Sequence, residues 1–256
     1  MSRALIGHTG FVGGNLLTQA SFDATYNSKN IEAIRGRAFD ELVCAGAPGV
    51  KWKANREPEK DRASIERLMR CLEEVEVTHF VLVSSIDVYP EPRQVDEDTP
   101  IDPAAGHPYG RHRLELEAFV RQRFSGSTVR LPGLFGPELR KNVIRDLLHG
   151  HEVYKICADG VLQWYPVAEL WRDLQVVREH GLPLVNFATE PMSVRDVARE
   201  AFGMEFENPE AGNPADYDMR TRHGRLFGGG DWYMRDRAHV MEALRAYVVG
   251  EGWSPP

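Results

Sequence analysis

Apolar positions along the chain fall into short, nearly continuous runs separated by segments of helical spacing. Ala4-Leu5-Ile6 is such a run, ended by glycines, and Phe11 to Ala20 follows with helical composition, so a strand, a glycine turn and a helix are predicted. Strands are also predicted at Ala24-Thr25-Tyr26 and at Glu41-Leu42-Val43-Cys44, the second running into the small residues Ala45-Gly46-Ala47 after a short connection. Ile65, Leu68, Met69 and Leu72 fall at i, i+3, i+4 and i+7 and predict a helix from Asp61. Phe80-Val81-Leu82-Val83 reads as a buried strand, a helix runs from Pro108-Tyr109 through Leu114, Phe119 and Val120, and Thr128-Val129-Arg130-Leu131 is a further strand. Fully apolar strands alternating with helices predict an α/β fold, a doubly wound parallel sheet covered on both faces.

Beyond Gly136-Pro137 the pattern loosens. Helices are predicted from Asn142 to Leu148 and through Val167, Leu170, Trp171 and Leu174, with a strand at Leu184 to Phe187. Ser193 with Asp196 has the spacing of a capping box opening a helix to Phe202. Residues 203 to 236, with Pro209, Pro214 and Gly228-Gly229-Gly230, read as irregular before a last helix from Arg237 to Val249. The expected organisation is a nucleotide-binding domain over residues 1–137 and a smaller, partly interleaved substrate region over 138–256.

The 256 residues are 42% hydrophobic and 27% charged, which excludes a mainly disordered chain. With 31 Lys and Arg against 38 Asp and Glu, the net charge of −7 opposes a broad phosphate-backbone footprint, so no nucleic-acid partner is expected. Three cysteines, Cys44, Cys71 and Cys157, fit neither a disulfide framework nor a zinc site, and a reducing cytoplasm is the expected location. No segment approaches roughly eighteen consecutive apolar residues, so no membrane span is expected.

Gly7-His8-Thr9-Gly10-Phe11-Val12-Gly13 occupies the first strand-to-helix turn, where glycines let backbone approach a pyrophosphate and the helix N-terminus faces its charge. The spacing is G-x-x-G-x-x-G; a turn with no ligand is the bland alternative. Ser84-Ser85-Ile86-Asp87-Val88-Tyr89 ends a later strand, and Tyr109-Gly110-Arg111-His112-Arg113 opens a helix further on. A hydroxyl at a strand's C-terminal end and a tyrosine at a helix start would both point into the crevice where open α/β sheets bind ligands.

These three segments, continued by Arg130-Leu131-Pro132-Gly133-Leu134-Phe135-Gly136-Pro137, resemble the extended short-chain dehydrogenase/reductases, the sugar-nucleotide epimerase and dehydratase group. The resemblance implies a Rossmann-type domain, a nicotinamide cofactor and a small-molecule substrate such as a nucleotide-sugar, with a helix-mediated homodimer. It implies that Ser85 polarises a substrate oxygen and that Tyr109 transfers the proton. The cofactor-binding set it implies is Gly7, Thr9, Gly10, Phe11, Val12 and Gly13, with Asn27, Ser28, Lys29, Ala45, Gly46, Ala47, Arg113, Pro132 and Leu134. Asp87 stands where the family's dehydratases place a Glu base, but Ile86 replaces the paired acid, which disfavours a dehydratase.

Arg113 replaces the lysine of the family's Tyr-x-x-x-Lys. It shares a helical face with Tyr109 and offers charge and donors, although a guanidinium is not equivalent to an ammonium. The alternative for Arg113 is a surface residue paired with Glu117. The turn after the second strand, Tyr26-Asn27-Ser28-Lys29-Asn30, lacks an acid and offers Lys29 to a 2′-phosphate, so NADP is expected, with NAD as the alternative. His149-Gly150-His151-Glu152 is read as a polar loop, and no metal is expected. Arg140, Lys141, Arg220, Arg222 and His223 are candidates for a substrate diphosphate by resemblance, and Trp164-Tyr165 with Trp171 for interdomain core. The expected function is NADP-dependent hydride transfer as an oxidoreductase or epimerase; the rival is a non-catalytic dinucleotide-binding sensor or scaffold of the same fold.

Overall fold

The computed structural model describes residues 1–208 and 214–254; Pro209 lies outside the described residues. A six-stranded sheet is built from β1 (Arg3–Ile6), β2 (Ala24–Tyr26), β3 (Ala38–Cys44), β4 (Glu76–Ser85), β5 (Gly126–Leu131) and β6 (Leu184–Asn186). Its order is β6-β5-β4-β3-β1-β2, and the pairings from β5 through to β2 are parallel. Order reverses beside β1, so β1 and β3 leave the sheet in opposite lateral directions and open a crevice at their carboxyl ends. This is a Rossmann-type α/β fold.

Two compact units emerge, the first comprising 1–90, 99–131 and 170–185, the second 91–98, 132–169 and 186–256. A single division at residue 137 therefore leaves three segments, 91–98, 132–137 and 170–185, on the other side from the unit to which they belong. In the first unit, helices α1 (Phe11–Gln19), α2 (Lys51–Arg56), α3 (Pro58–Leu72), α4 (Pro108–Arg123) and α5 (Leu170–Glu179) accompany the sheet. Alternate residues Ala4, Ile6, Leu42, Cys44, Phe80 and Leu82 form one core with Ile65, Leu68 and Leu72 of α3 and Leu116 and Val120 of α4. Residues of opposite parity, Leu5, Val43 and Val81, are equally buried, as a sheet covered on both faces requires.

Helix α2 is absent from the sequence reading because its one buried residue, Ala54, gives it no apolar stripe. In the second unit, Val143–His149, Val194–Phe202 and Arg237–Gly250 supply a separate core with Phe135, Trp164 and Met192. Ser193 caps its helix as expected, its Oγ accepting from the Asp196 N–H at 3.1 Å. The predicted irregular stretch contains a short strand, Asp218–Met219, and a 3-10 turn, Gly224–Phe227. Trp164 and Tyr165 are buried in the second unit, and Trp171 belongs to the first, edge-on to Phe22 at 5.7 Å.

Candidate active site

The glycine turn is tied to its neighbours by backbone. Gly7 N–H donates to the Tyr26 carbonyl at 2.7 Å and the His8 ring Nδ1 lies 3.0 Å from the same oxygen. Gly7 has φ +91°, and a Cβ there would lie 2.2 Å from the Ala45 carbonyl oxygen, so only glycine permits this approach to the end of β3. Gly13 is demanded by α1, because its Cβ would sit 2.2 Å from the Gly7 oxygen. Gly10 precedes α1 without a side-chain cap and no acid occupies the first turn, leaving the helix's first N–H groups open to an anion.

A cavity of about 390 Å³ elsewhere is confined to the amino end of the sheet, around Ser2, Asp40 and Glu76, away from this chemistry. The cavity on the glycine turn measures about 300 Å³ and brings together Gly7, Thr9, Gly10, Asn27, Ser28, Ala45, Gly46 and Ala47. Of the remaining candidates, Phe11, Val12, Gly13, Lys29 and Arg113 do not line it, and neither do Ser85 and Tyr109. Pro132 and Leu134 lie in the second unit, Leu134 on a short strand paired with Tyr165. Pro48, Gly49, Ser64 and Arg67 line it without having been singled out from sequence. Close backbone approach, an open helix start and a polar rim fit a dinucleotide.

Strand alternation separates the two serines at the end of β4. Ser84 turns inward, donating to Glu117 at 2.5 Å, and Glu117 takes two hydrogen bonds from Arg130, at 2.7 and 3.1 Å. Glu117 is thus unavailable to Arg113. Ser85 Oγ accepts the Asp87 N–H at 3.1 Å, and its hydroxyl acts on the Tyr109 phenol to lower its pKa. Gly110 makes room for this corner, since a Cβ there would lie 2.2 Å from the Asp87 carbonyl oxygen. Asp87 itself is ion-paired with Lys51 of α2 at 2.7 Å.

Arg113 is not a surface residue: its side chain is 2% exposed. It grips Asp61 of α3, Nη1 at 2.5 Å and Nη2 at 3.0 Å, while Nη1 also donates to the Tyr109 carbonyl and Nη2 to the Pro48 carbonyl. Its guanidinium carbon stands 3.7 Å from the Tyr109 ring centroid. His112 Nδ1 meets the same Asp61 at 2.7 Å. Burial opposes the charge on Asp61, yet the hydrogen bonds from Arg113 and His112 hold its carboxyl below the ordinary range. Tyr109 goes the other way: burial raises its phenol, and the opposing pull of Arg113 and Ser85 does not cancel that.

Other expected groups stand apart. Arg220 is paired with Asp218 at 2.9 Å and Arg222 with Asp98, so both cations already have carboxylate partners. Among the described residues, no three His, Cys, Asp or Glu side chains group to hold a metal ion, and no helix is long and apolar enough to cross a membrane.

Fold and site define a Rossmann-type protein with a cleft on its glycine turn, Ser85 at the end of β4 and Tyr109 at the start of α4. The model of the NAD dependent epimerase/dehydratase family matches residues 20–181, and the chain belongs to that family of nicotinamide-dependent enzymes. Among solved structures, it is similar to a dTDP-4-dehydrorhamnose reductase from Clostridium acetobutylicum, with 17% identity, TM-score 0.74, and 97% of this chain and 99% of that one covered. It is also similar to UDP-glucose 4-epimerase from Thermotoga maritima, solved with UDP-glucose, with 17% identity, TM-score 0.71 and coverages of 97% and 98%. RMD from Pseudomonas aeruginosa, complexed with NADPH, shares 16% identity with TM-score 0.71 and 98% of each chain covered. No curated protein sequence gives a significant match.

Proposed function

We propose that the protein is an NADP-dependent oxidoreductase or epimerase acting on a carbonyl or hydroxyl carbon of a sugar nucleotide or related small molecule, with Tyr109 moving the proton. One observation carries this: Ser85, at the end of β4, acts on the buried Tyr109 phenol and lowers its pKa, in the same compact unit as the cleft on the glycine turn. The 4-epimerase solved with UDP-glucose and RMD complexed with NADPH support the substrate class and the cofactor.

Gly7, Thr9 and Gly10 would hold the dinucleotide's phosphates at the open start of α1, with Ala45, Gly46 and Ala47 along the end of β3. The nicotinamide, when bound, supplies hydride transfer. Ser85 accepts from the Asp87 N–H, which leaves its own proton for the Tyr109 oxygen or a substrate oxygen. The buried phenol stays protonated near neutral pH, so Tyr109 acts as an acid toward a carbonyl oxygen and accepts a proton only once ionised. Arg113 spans from the Tyr109 ring to the Pro48 carbonyl on the cleft wall, and so acts as a positioning residue. Asp87, paired with Lys51, is the carboxylate available for a second proton transfer.

The test is NADPH fluorescence on titration, followed by turnover on a panel of keto and hydroxy sugar nucleotides, with Tyr109→Phe alongside. Binding in both proteins and turnover only in the parent is the expected result. Binding without turnover on any panel member would instead identify a non-catalytic sensor, and absence of binding would refute both readings.

A further inference from the structure

The cavity wall beyond the end of β2 carries a cation that lies far from that turn in sequence. Arg67 of α3 lines the cleft together with Asn27, Ser28 and Ser64, whereas Lys29 does not. Two contacts fix the Arg67 side chain: its Nε forms a charged hydrogen bond to Glu32 at 2.9 Å, and Nη1 donates to the Ser28 carbonyl at 3.0 Å. Nη2 has no hydrogen-bond partner among the described residues. Lys29 instead contributes only its backbone N–H to the turn, donating to Asn27 Oδ1 at 2.8 Å.

Glu32 is the carboxylate paired with Arg67, and its position decides the sign of the site. Its oxygens receive Arg35, Arg67 and Cys71, and those hydrogen bonds, Arg35's first, hold its carboxyl down at about 2. It is thus turned to the arginines and does not line the cleft. In a dinucleotide fold the adenosine ribose meets the end of the second strand, where an acid binds a free 2′-hydroxyl and a nearby arginine accommodates a 2′-phosphate. A pre-positioned guanidinium beside two serines suits a phosphate better than a flexible lysine does.

We infer that Arg67, with Ser28 and Ser64, is the 2′-phosphate-recognising group of this cleft and sets the preference for NADP over NAD. The inference rests on the cofactor reading above. A guanidinium at this wall also has an alternative use, stacking on the adenine ring, which would serve both dinucleotides equally.

Binding of NADPH and NADH to the parent chain, Arg67→Gln, Arg67→Lys and Lys29→Gln, read by nucleotide fluorescence, separates these cases without requiring turnover. Loss of a charge-assisted pair is expected to weaken NADPH by about 10- to 100-fold in Arg67→Gln, with NADH within a factor of about two; Arg67→Lys falls between. Lys29→Gln should leave the NADPH-to-NADH ratio unchanged. Adenosine 2′,5′-bisphosphate should compete better than adenosine 5′-monophosphate against the parent and lose that advantage in Arg67→Gln. Equal weakening of both dinucleotides or a ratio carried by Lys29 would overturn the inference while leaving the cofactor reading intact; a parent preferring NADH would overturn the inference and the NADP assignment together, but not dinucleotide binding. Failure of the parent to bind either dinucleotide would bring down both.

Discussion

At the scale of single residues, the exchange of Lys for Arg in the Tyr-x-x-x-basic motif is explained by a partner outside the motif. Asp61 occupies the helical position four before Ile65, at the head of the apolar stripe of α3, and is buried. A carboxylate there needs a buried cation, and a planar guanidinium can satisfy it with two nitrogens while reaching the Pro48 carbonyl. Part of the charge that would otherwise act on Tyr109 is thereby neutralised. The prediction concerns the phenol: its ultraviolet ionisation, taken as the difference between the parent and Tyr109→Phe, should begin above the ordinary value of 10.0. Asp61 raises that pKa and Arg113 lowers it, so Asp61→Asn should move the titration down and Arg113→Met up. Titrations of unchanged midpoint in both variants would remove the electrostatic link. Because the folded phenol is the raised one, its contribution to stability is complete below pH 10.0 and declines as pH climbs through the folded value. Breaking one side of a buried pair costs about 3–5 kcal/mol, so both variants need a check for cooperative unfolding. In the sequence Asp61 marks only the start of a helix, and its partner was not legible, since the pairing joins positions 52 residues apart.

Among elements, the strands and long helices were legible because each carries its own periodic signal. The glycine turn, β1 and α1 appear where the pattern put them, and Ser85 and Tyr109 are brought together although 24 positions of chain separate them. What remained hidden was supplied by elements with weak periodicity or by the far face of strong ones: Lys51 on α2, and Ser64 and Arg67 on the polar side of α3. The turn also shows that its glycines do different work. A Cβ at Gly10 would meet only the Gly7 oxygen, at 3.3 Å, whereas one at Gly13 would lie 2.2 Å from it. Gly10→Val should therefore keep near-parental circular dichroism and lose dinucleotide affinity by more than about tenfold, its side chain filling the phosphate approach at the helix start. Gly13→Val should lose stability itself, by about 1–3 kcal/mol or more, since backbone must shift to admit the side chain. Chemical denaturation and nucleotide titration on both variants would check the contrast; normal affinity in Gly10→Val would mean that the turn serves only the chain reversal.

On the scale of the whole molecule, the sequence divides near residue 137 with the second region partly interleaved, and in the compact units residues 170–185 return late to the first. Domain limits are read from composition and loosening periodicity, and neither marks a helix and strand that complete an earlier sheet. Helix α5 buries Leu170, Leu174 and Val177, its Trp171 N–H donates to Gln19 of α1 at 2.9 Å, and Thr128 N–H of β5 donates to the Pro183 carbonyl at 2.9 Å. Fully burying such a side chain contributes about 1.5–3 kcal/mol, so these three together rival the roughly 5–15 kcal/mol by which a whole domain is stable. Removing the segment also leaves β5 as an uncovered edge with unpaired backbone donors. A fragment ending at residue 137 retains the glycine turn, Ser85, Tyr109, Asp61 and Arg113, and by motif content alone it should bind a dinucleotide. By the packing argument it should instead show no cooperative urea transition and expose apolar surface to a dye such as ANS, while the full chain unfolds cooperatively. A fragment that unfolds in one sharp step and quenches NADPH fluorescence like the full chain would show that the late helix and strand are dispensable, and that the first unit is complete without them.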